Sequence, residues 1–262
     1  MTPPRFAGVL FIAALVAGTL ADRSQPAVRR SIAGYDVLAA DFHVHMLPHG
    51  WAGLSPWDTV VEASRHGLDV VALTPHQQVW QAKVGQWWSQ MTGGPLVIVG
   101  EEITARRYHM IAVGLHDAVS SEQPTASAIA AIHRQGGVAI AAHPYEDSWP
   151  EYDVEARAEL DGTEIVRPET VDPAHAETLR AFAATVPRAA AIASSDYHGL
   201  KPMGSPRTFV FAHGRTEADV MEALRARRTV VFDRDRAFGD PALLRAAIAY
   251  LEERSVKSGS SE

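Results

Sequence analysis

The chain predicts an α/β fold on a mostly parallel sheet, closed as a barrel or open and doubly wound. Three observations predict it. Strand-like and helix-like segments alternate from Tyr35 to about Tyr250. One of them, Leu68–Thr74 (LDVVALT), is a continuous apolar run, the pattern of a strand buried on both faces. Side chains capable of chemistry recur at the C-terminal ends of strand segments, which in a parallel barrel meet at one rim.

Composition narrows the chemistry. The 262 residues are 47% apolar and 21% charged, ordinary for a chain that buries a core. A formal charge of −7 argues against a polymeric nucleic-acid partner, whose binders usually show a basic face. There is no cysteine, so any metal must be held by His, Asp and Glu. Histidine is plentiful, at twelve residues.

The elements follow in order. An apolar run from Phe6 to Leu20 follows Arg5. It is short against the roughly 20 residues of a bilayer span. Thr19-Leu20-Ala21 offers small residues before a signal-peptidase cut. Residues 1–21 are therefore expected to be a secretory signal, making the mature protein periplasmic or secreted. An uncleaved membrane anchor is the alternative, and membrane contact is expected only then. Residues 22–33 read as a linker, 34–254 as one domain, and 255–262 as a frayed tail.

Tyr35–Val44 is the first strand. Ser55-Pro56-Trp57-Asp58 starts a helix, with Ser at the N-cap and Pro at N1, that runs to His66 and stops at Gly67. Leu68–Thr74, Leu96–Thr104 and His109–Leu115 are strands. The stretch VWQAKVGQWW before the second of these reads as a long loop, with Trp80, Trp87 and Trp88 either lining a pocket or packing on the barrel. Thr125–Gln135 is a helix ended by Gly136-Gly137, followed by the strand Val138–Ala142. Thr163–Val166 and Ala190–Ser194 are short strands separated by a helix near Pro173–Ala184. Thr208–Ala212 and Thr229–Phe232 flank a helix opened by Thr216 with Asp219 at N3. Asp240–Arg254 is the last helix. Neither G-x-G-x-x-G after the first strand nor a P-loop is present.

The stretch Asp41-Phe42-His43-Val44-His45 puts two imidazoles at i and i+2, on one face of an extended backbone, with Asp41 on that face too. His49 follows in the next loop. His76 ends the second buried strand. Glu101 and Glu102 sit on the third, where alternation lets only one face inward. His109 begins the fourth, His143 ends the fifth, and Asp196 and His198 follow Ala190–Ser194. Coincidence at six separate segments is not what scattered structural histidines produce.

The phrases DFHVH, GLDVVALTPH, VIVGEEIT, HMIAVGL, GGVAIAAHPY, ASSDYHG and EALRARRTVV, taken in that order, resemble the polymerase-and-histidinol-phosphatase (PHP) superfamily over roughly residues 37–232. The resemblance implies a single-domain, distorted (β/α)7 TIM-like barrel with two or three divalent ions at the C-terminal rim. It implies that His43, His45 and Asp196 hold one ion, that Glu102 bridges to a second, and that His109 and His143 complete the second site. His49, His76 and His198 match a third. Two departures touch that third site: Pro75 stands where the family usually has Asp, and the loop after His45 is shorter than usual.

Imidazole and carboxylate donors suit Zn, Mn or Fe. Two such ions can make hydroxide from a shared water near neutral pH, which is hydrolytic chemistry without a nucleophilic side chain. The expected function is an exported metal-dependent phosphoesterase acting on a small phosphorylated molecule. A metallohydrolase of amide, carbamate or carboxylic ester bonds is one alternative; a non-catalytic metal-binding exported protein is another. Asp196 or His198 can also carry a proton to the leaving group. Arg106, Arg107, Lys201 and Arg207 are candidate phosphate-binding cations, with solvated loop charge as the alternative. Ser194 and Ser195, with no G-x-S-x-G elbow, read as small residues beside Asp196.

Overall fold

The computed structural model describes residues 30–48, 53–199, 201–234 and 236–249. Among them are eleven strands: β1 (Ser31–Ile32), β2 (Tyr35–Val44), β3 (Val70–Leu73), β4 (Leu96–Thr104), β5 (His109–Val113), β6 (Val138–Ala142), β7 (Gly162–Val166), β8 (Ala190–Ala193), β9 (Thr208–Ala212), β10 (Thr229–Asp233) and β11 (Arg236–Gly239). They form one sheet in the order β11-β10-β9-β2-β3-β4-β5-β6-β7-β8, with β1 on β2.

The sheet is mixed rather than mostly parallel. β2, β3 and β4 run parallel, as do β6, β7 and β8. β4–β5, β5–β6, β2–β9, β9–β10, β10–β11 and β1–β2 are antiparallel. Part of the reason is visible in the connections: residues 105–108 between β4 and β5 are too few for a parallel crossover, which needs a dozen or more. The sheet nonetheless curls into a nearly closed barrel. Where β8 meets β9, Thr208 Oγ1 accepts from Ala193 N at 2.9 Å and donates to Ala193 O at 2.8 Å, so one hydroxyl joins the ends.

Alternation sets what fills the barrel. Leu38, Ala40, Phe42, Val70, Ala72, Ile98, Ile111, Ile140, Ile192 and Val210 make the interior. Fully burying side chains of this size contributes about 1.5–3 kcal/mol each for the larger ones. The N-terminal end of the barrel is stoppered by Val220, Met221 and Leu224 of the helix Glu217–Arg225. That helix opens with the expected capping box between Thr216 and Asp219. The outer faces of the strands pack against the helices Pro56–Arg65, Trp80–Thr92, Thr125–Arg134 and Val154–Glu159 and against Phe182 of Pro173–Thr185.

Several elements depart from expectation. VWQAKVGQWW belongs to the helix Trp80–Thr92 and not to a loop. Its start is unmarked, because Val79 supplies no side-chain cap, and its interior carries Gly85 and β-branched Val84. Trp80 and Trp87 lie about half exposed on it. The helix Val154–Glu159 and strand β11 were not anticipated. Ser31 and Ile32, expected in the linker, pair with Asp36 and Tyr35. Residues 1–29 and 250–262 lie outside the described residues, so the signal, the tail and most of the linker do too; of the last expected helix, 241–249 is helical. Among the described residues no helix is long and apolar enough to cross a membrane.

Candidate metal centre

β2 delivers the first donors through an irregularity. Its register against β3 shifts between Asp41 and Val44, and such a shift re-aims side chains. Phe42 stays in the barrel interior while Val44 packs outside it. His43 and His45 reach the rim, both fully buried. Asp41 does not share their face. Its carboxylate accepts from Ser195 N, Ser195 Oγ, Gly204 N at 2.9 Å and His43 N at 3.2 Å, bracing the segment after β8.

β4 settles which of the two acids faces inward. Val97, Val99 and Ile103 point to the outer helices and Ile98 to the interior, so Glu102 points in and Glu101 out. Gly100 makes room: a Cβ there would lie 2.5 Å from Ala112 O on β5. Glu101 accepts from Val119 N, and burial pushes its carboxyl up to about 7.

Glu102 is 2% exposed and lies among five imidazoles. Its Oε1 lies 2.8 Å from His109 Nδ1 and 3.1 Å from His143 Nε2. Its Oε2 lies 3.3 Å from His43 Nε2, His45 Nε2 and His76 Nδ1. His76 is brought there because Pro75–Gln77 runs beside β4: Glu102 N donates to Pro75 O and Gln77 N to Glu102 O. His76 Nδ1 also meets Thr104 Oγ1. His109 is anchored through its carbonyl, which accepts from Tyr152 OH at 2.6 Å.

Asp196 arrives on the segment after β8, which runs beside the end of β2: His45 N donates to Tyr197 O at 3.0 Å and Tyr197 N to His43 O at 3.2 Å. Its Oδ1 lies 3.1 Å from His45 Nε2 and 3.4 Å from His43 Nε2. His198 Nδ1 donates to Asp196 O at 2.9 Å, and its ring stacks on His45 with centroids 4.2 Å apart. Asp196 and His143 have φ of 47° and 29°. That left-handed backbone is costly for side-chain-bearing residues, about 1–3 kcal/mol each, and persists where packing over-determines it.

Three overlapping groups of donor atoms result, each within 4.8 Å: His43 with His45 and Asp196, His43 with Glu102 and His143, and His45 with His76 and His198. Seven of the expected residues are thus brought together. His109 touches Glu102 without joining a group. His49 lies outside the described residues.

The electrostatics are those of a site that wants positive charge. Burial opposes ionisation of Glu102, yet the adjacent His43 and the hydrogen bonds of His109 and His143 hold it well below the carboxylate range. Asp196 is likewise held low against burial by His43, His45 and Arg167. Burial would lower His43 and His45; the facing carboxylates raise both instead. A divalent cation meets the same demand through the imidazole lone pairs. His43 Nε2 is buried and makes no hydrogen bond of acceptable geometry, although it faces two carboxylate oxygens. Nitrogen and carboxylate donors around such an atom fit Zn, Mn or Fe.

Two residues of the site escaped the sequence reading. Glu164, on β7, is fully buried, with Oε1 2.9 Å from His43 Nδ1. Arg167, 5% exposed, pairs with Asp196 Oδ2 and lies 3.5 Å from Glu164 Oε2. The signal for Glu164 was an acid inside the otherwise uncharged strand GTEIV. Ser194 and Ser195 do more than save space, since their hydroxyls donate to Glu164 and Asp41.

The expected phosphate-binding cations are otherwise engaged or exposed. Arg207 donates to Gly204 O and His66 O, on the outside of the barrel. Arg107 pairs with Glu151 at 3.2 Å and Lys201 with Glu169 at 2.5 Å. Arg106 is exposed.

No protein-family model matches the chain. It is 30% identical over 119 residues to MJ1587, an uncharacterised protein of Methanocaldococcus jannaschii, a match spanning 41% of this chain and 68% of that one. It superposes with a TM-score of 0.65 on a two-domain protein of Bacteroides vulgatus containing a predicted PHP-like metal-dependent phosphoesterase, at 24% identity, covering 86% of this chain and 73% of that one. PsfC of Pseudomonas syringae superposes with a TM-score of 0.51 at 17% identity, covering 84% of this chain and 98% of PsfC.

Proposed function

The chain has the PHP-type fold, and from that premise we propose that it is an exported, metal-dependent hydrolase of phosphoesters on a small molecule. One observation carries the reading: a single buried carboxylate, Glu102, belongs to one of two donor groups that share His43 and lies 3.3 Å from His43 and His45 of the other. That is the arrangement a pair of neighbouring ions requires.

His43, His45 and Asp196 would hold one ion, and Glu102, His143 and His109 the next; His76 and His198, with His49, would hold an outer one. Bound divalent ions supply Lewis acidity and a more acidic water. The protein's own groups do the rest. Arg167 keeps Asp196 ionised and aimed at His43 and His45. Asp196 is therefore a poor proton donor, and His198, with its Nδ1 proton on Asp196 O and its pKa lowered by burial and by His45, serves the site as a donor to the outer ion. Tyr152 and Thr104 fix His109 and His76 from behind.

A panel of phosphomonoester, phosphodiester and carboxylic ester substrates, each assayed with Zn2+, Mn2+ and Fe2+, tests the reaction. Metal-dependent turnover of a phosphoester is expected. Turnover of carboxylic esters alone rejects the phosphatase reading, and a purified protein that binds none of these ions rejects the metallohydrolase. For export, the N-terminal residue of the protein recovered outside the cytoplasm should lie near Asp22; an intact Met1 overturns cleavage.

A further inference from the structure

Glu164 is the buried acid that the reaction as described leaves without a part. Two of its polar neighbours, His143 N and the Arg167 guanidinium, can only donate. Oε1 lies 2.9 Å from His43 Nδ1 and accepts from the Ser194 hydroxyl. Oε2 receives His143 N at 2.6 Å and faces Arg167 Nε at 3.5 Å. An acid held by these obligate donors is an ionised carboxylate, which can only accept. Both of its oxygens are engaged, and it joins none of the donor groups of the cluster.

Its position has a consequence for His43. An ionised carboxylate at Nδ1 requires the proton on Nδ1. An ion that replaces the proton the facing carboxylates otherwise hold on Nε2 then meets the lone pair there, beside Glu102 and Asp196 at 3.3 and 3.4 Å. The other tautomer would set a lone pair against the carboxylate in a site with no exposed surface. The same carboxylate fixes the backbone of His143, whose φ of 29° needs holding. One side chain thus orients a donor in each of the two inner groups.

We propose that Glu164 is a positioning residue: it fixes the tautomer of His43 and the backbone of His143, and so sets the affinity of the inner metal pair without binding metal itself. The inference rests on the metal-dependent reading above. Carboxylates behind metal-bound histidines typically change affinity by about 10–100-fold. Arg167 completes the device by linking Glu164 to Asp196, so the ligand arriving from β8 is registered to the one arriving from β2.

Two measurements test it. In the full chain labelled with 15N-histidine, the His43 ring should carry its proton on Nδ1 and present Nε2 to Zn2+; an Nδ1-metallated ring, or an Nδ1 without its proton, overturns the proposal, and this readout needs no variant to fold. In a chelator-competition titration with Zn2+ as the only metal, Glu164→Gln should bind the inner ions about 10–100-fold more weakly, with zinc stoichiometry at saturation unchanged. Wild-type affinity in a folded Glu164→Gln overturns the positioning role, and loss of one zinc at saturation shows Glu164 to be a ligand and overturns it too. Failure of the wild-type chain to bind zinc at all defeats the metallohydrolase reading instead, a result distinct from zinc binding that Glu164→Gln leaves unchanged.

Discussion

At the N-terminal end of the barrel the strands run into Val220, Met221 and Leu224 of one helix, packed with Leu38, Ile111, Ile140 and Val210. At the other end the same strands run into Glu102, Glu164, Asp196 and six described histidines of the candidate centre, several fully buried. The two ends are stabilised by different physics. The closed end gains from apolar area removed from water, which needs only approximate shape. The rim holds carboxylates and imidazoles whose burial is costly unless each is matched. Geometry at the rim is therefore over-determined: Asp41, Ser194, Ser195, Thr104, Tyr152 and Arg167 each hold a donor or the segment carrying it.

The comparison is broken most severely by removing the group that the rim is built around. Glu102→Gln keeps the size of the side chain and removes the charge that five imidazoles face. Zinc affinity and phosphoester turnover should both fall by more than the roughly 10–100-fold expected of a residue that only orients a ligand. A variant retaining wild-type zinc content and turnover would show that Glu102 is merely a buried partner for protonated histidines.

A smaller effect is expected at the outer edge of the same rim. His76 and His198 are 23% and 27% exposed, whereas His43 and His45 are wholly buried. His76→Ala takes one donor from the group of His45, His76 and His198 and leaves the two inner groups whole. Metal analysis after dialysis should show loss of the weakest-held ion alone, with a smaller loss of turnover than for Glu102→Gln. Equal losses in the two variants would mean that the rim behaves as one unit.

How much of this could be read from the chain follows the same division. Elements with a marked start were legible: Ser55 and Thr216 announce their helices, and the structure caps both as expected. The helix Trp80–Thr92 has no such mark and was taken for a loop. Strand direction was not legible, because an apolar run such as Leu96–Thr104 looks the same whichever way its neighbour β5 runs. At the rim, the placement of histidines was legible through their recurrence at strand ends. Glu164 and Arg167 were not, because a residue that acts through another has no recurring neighbour to give it away. Asp41 was misplaced because period-2 alternation fails where the β2–β3 register shifts.

The mildest test sits at the closed end. His133, in the last turn of the helix Thr125–Arg134, meets Asp161 Oδ2 at 2.8 Å, and the same oxygen accepts from Ala139 N at 2.8 Å. The hydrogen bond with Asp161 raises the pKa of His133 above 6.5, against partial burial, with Glu159 adding to it and Arg225 opposing. A histidine whose folded pKa exceeds its unfolded one contributes stability that is complete below pH ~6.5 and is lost as pH rises through the folded value. The pair is partly exposed, so the contribution is at most about 1 kcal/mol. Urea midpoints of the wild-type chain and His133→Gln, compared from about pH 6 to about pH 8, should converge as pH rises, with turnover alike in both. A gap that widens with pH would mean that His133 is held neutral. A change in turnover would mean that the two ends are coupled through Asp161 and β7, the strand that carries Glu164 to the rim.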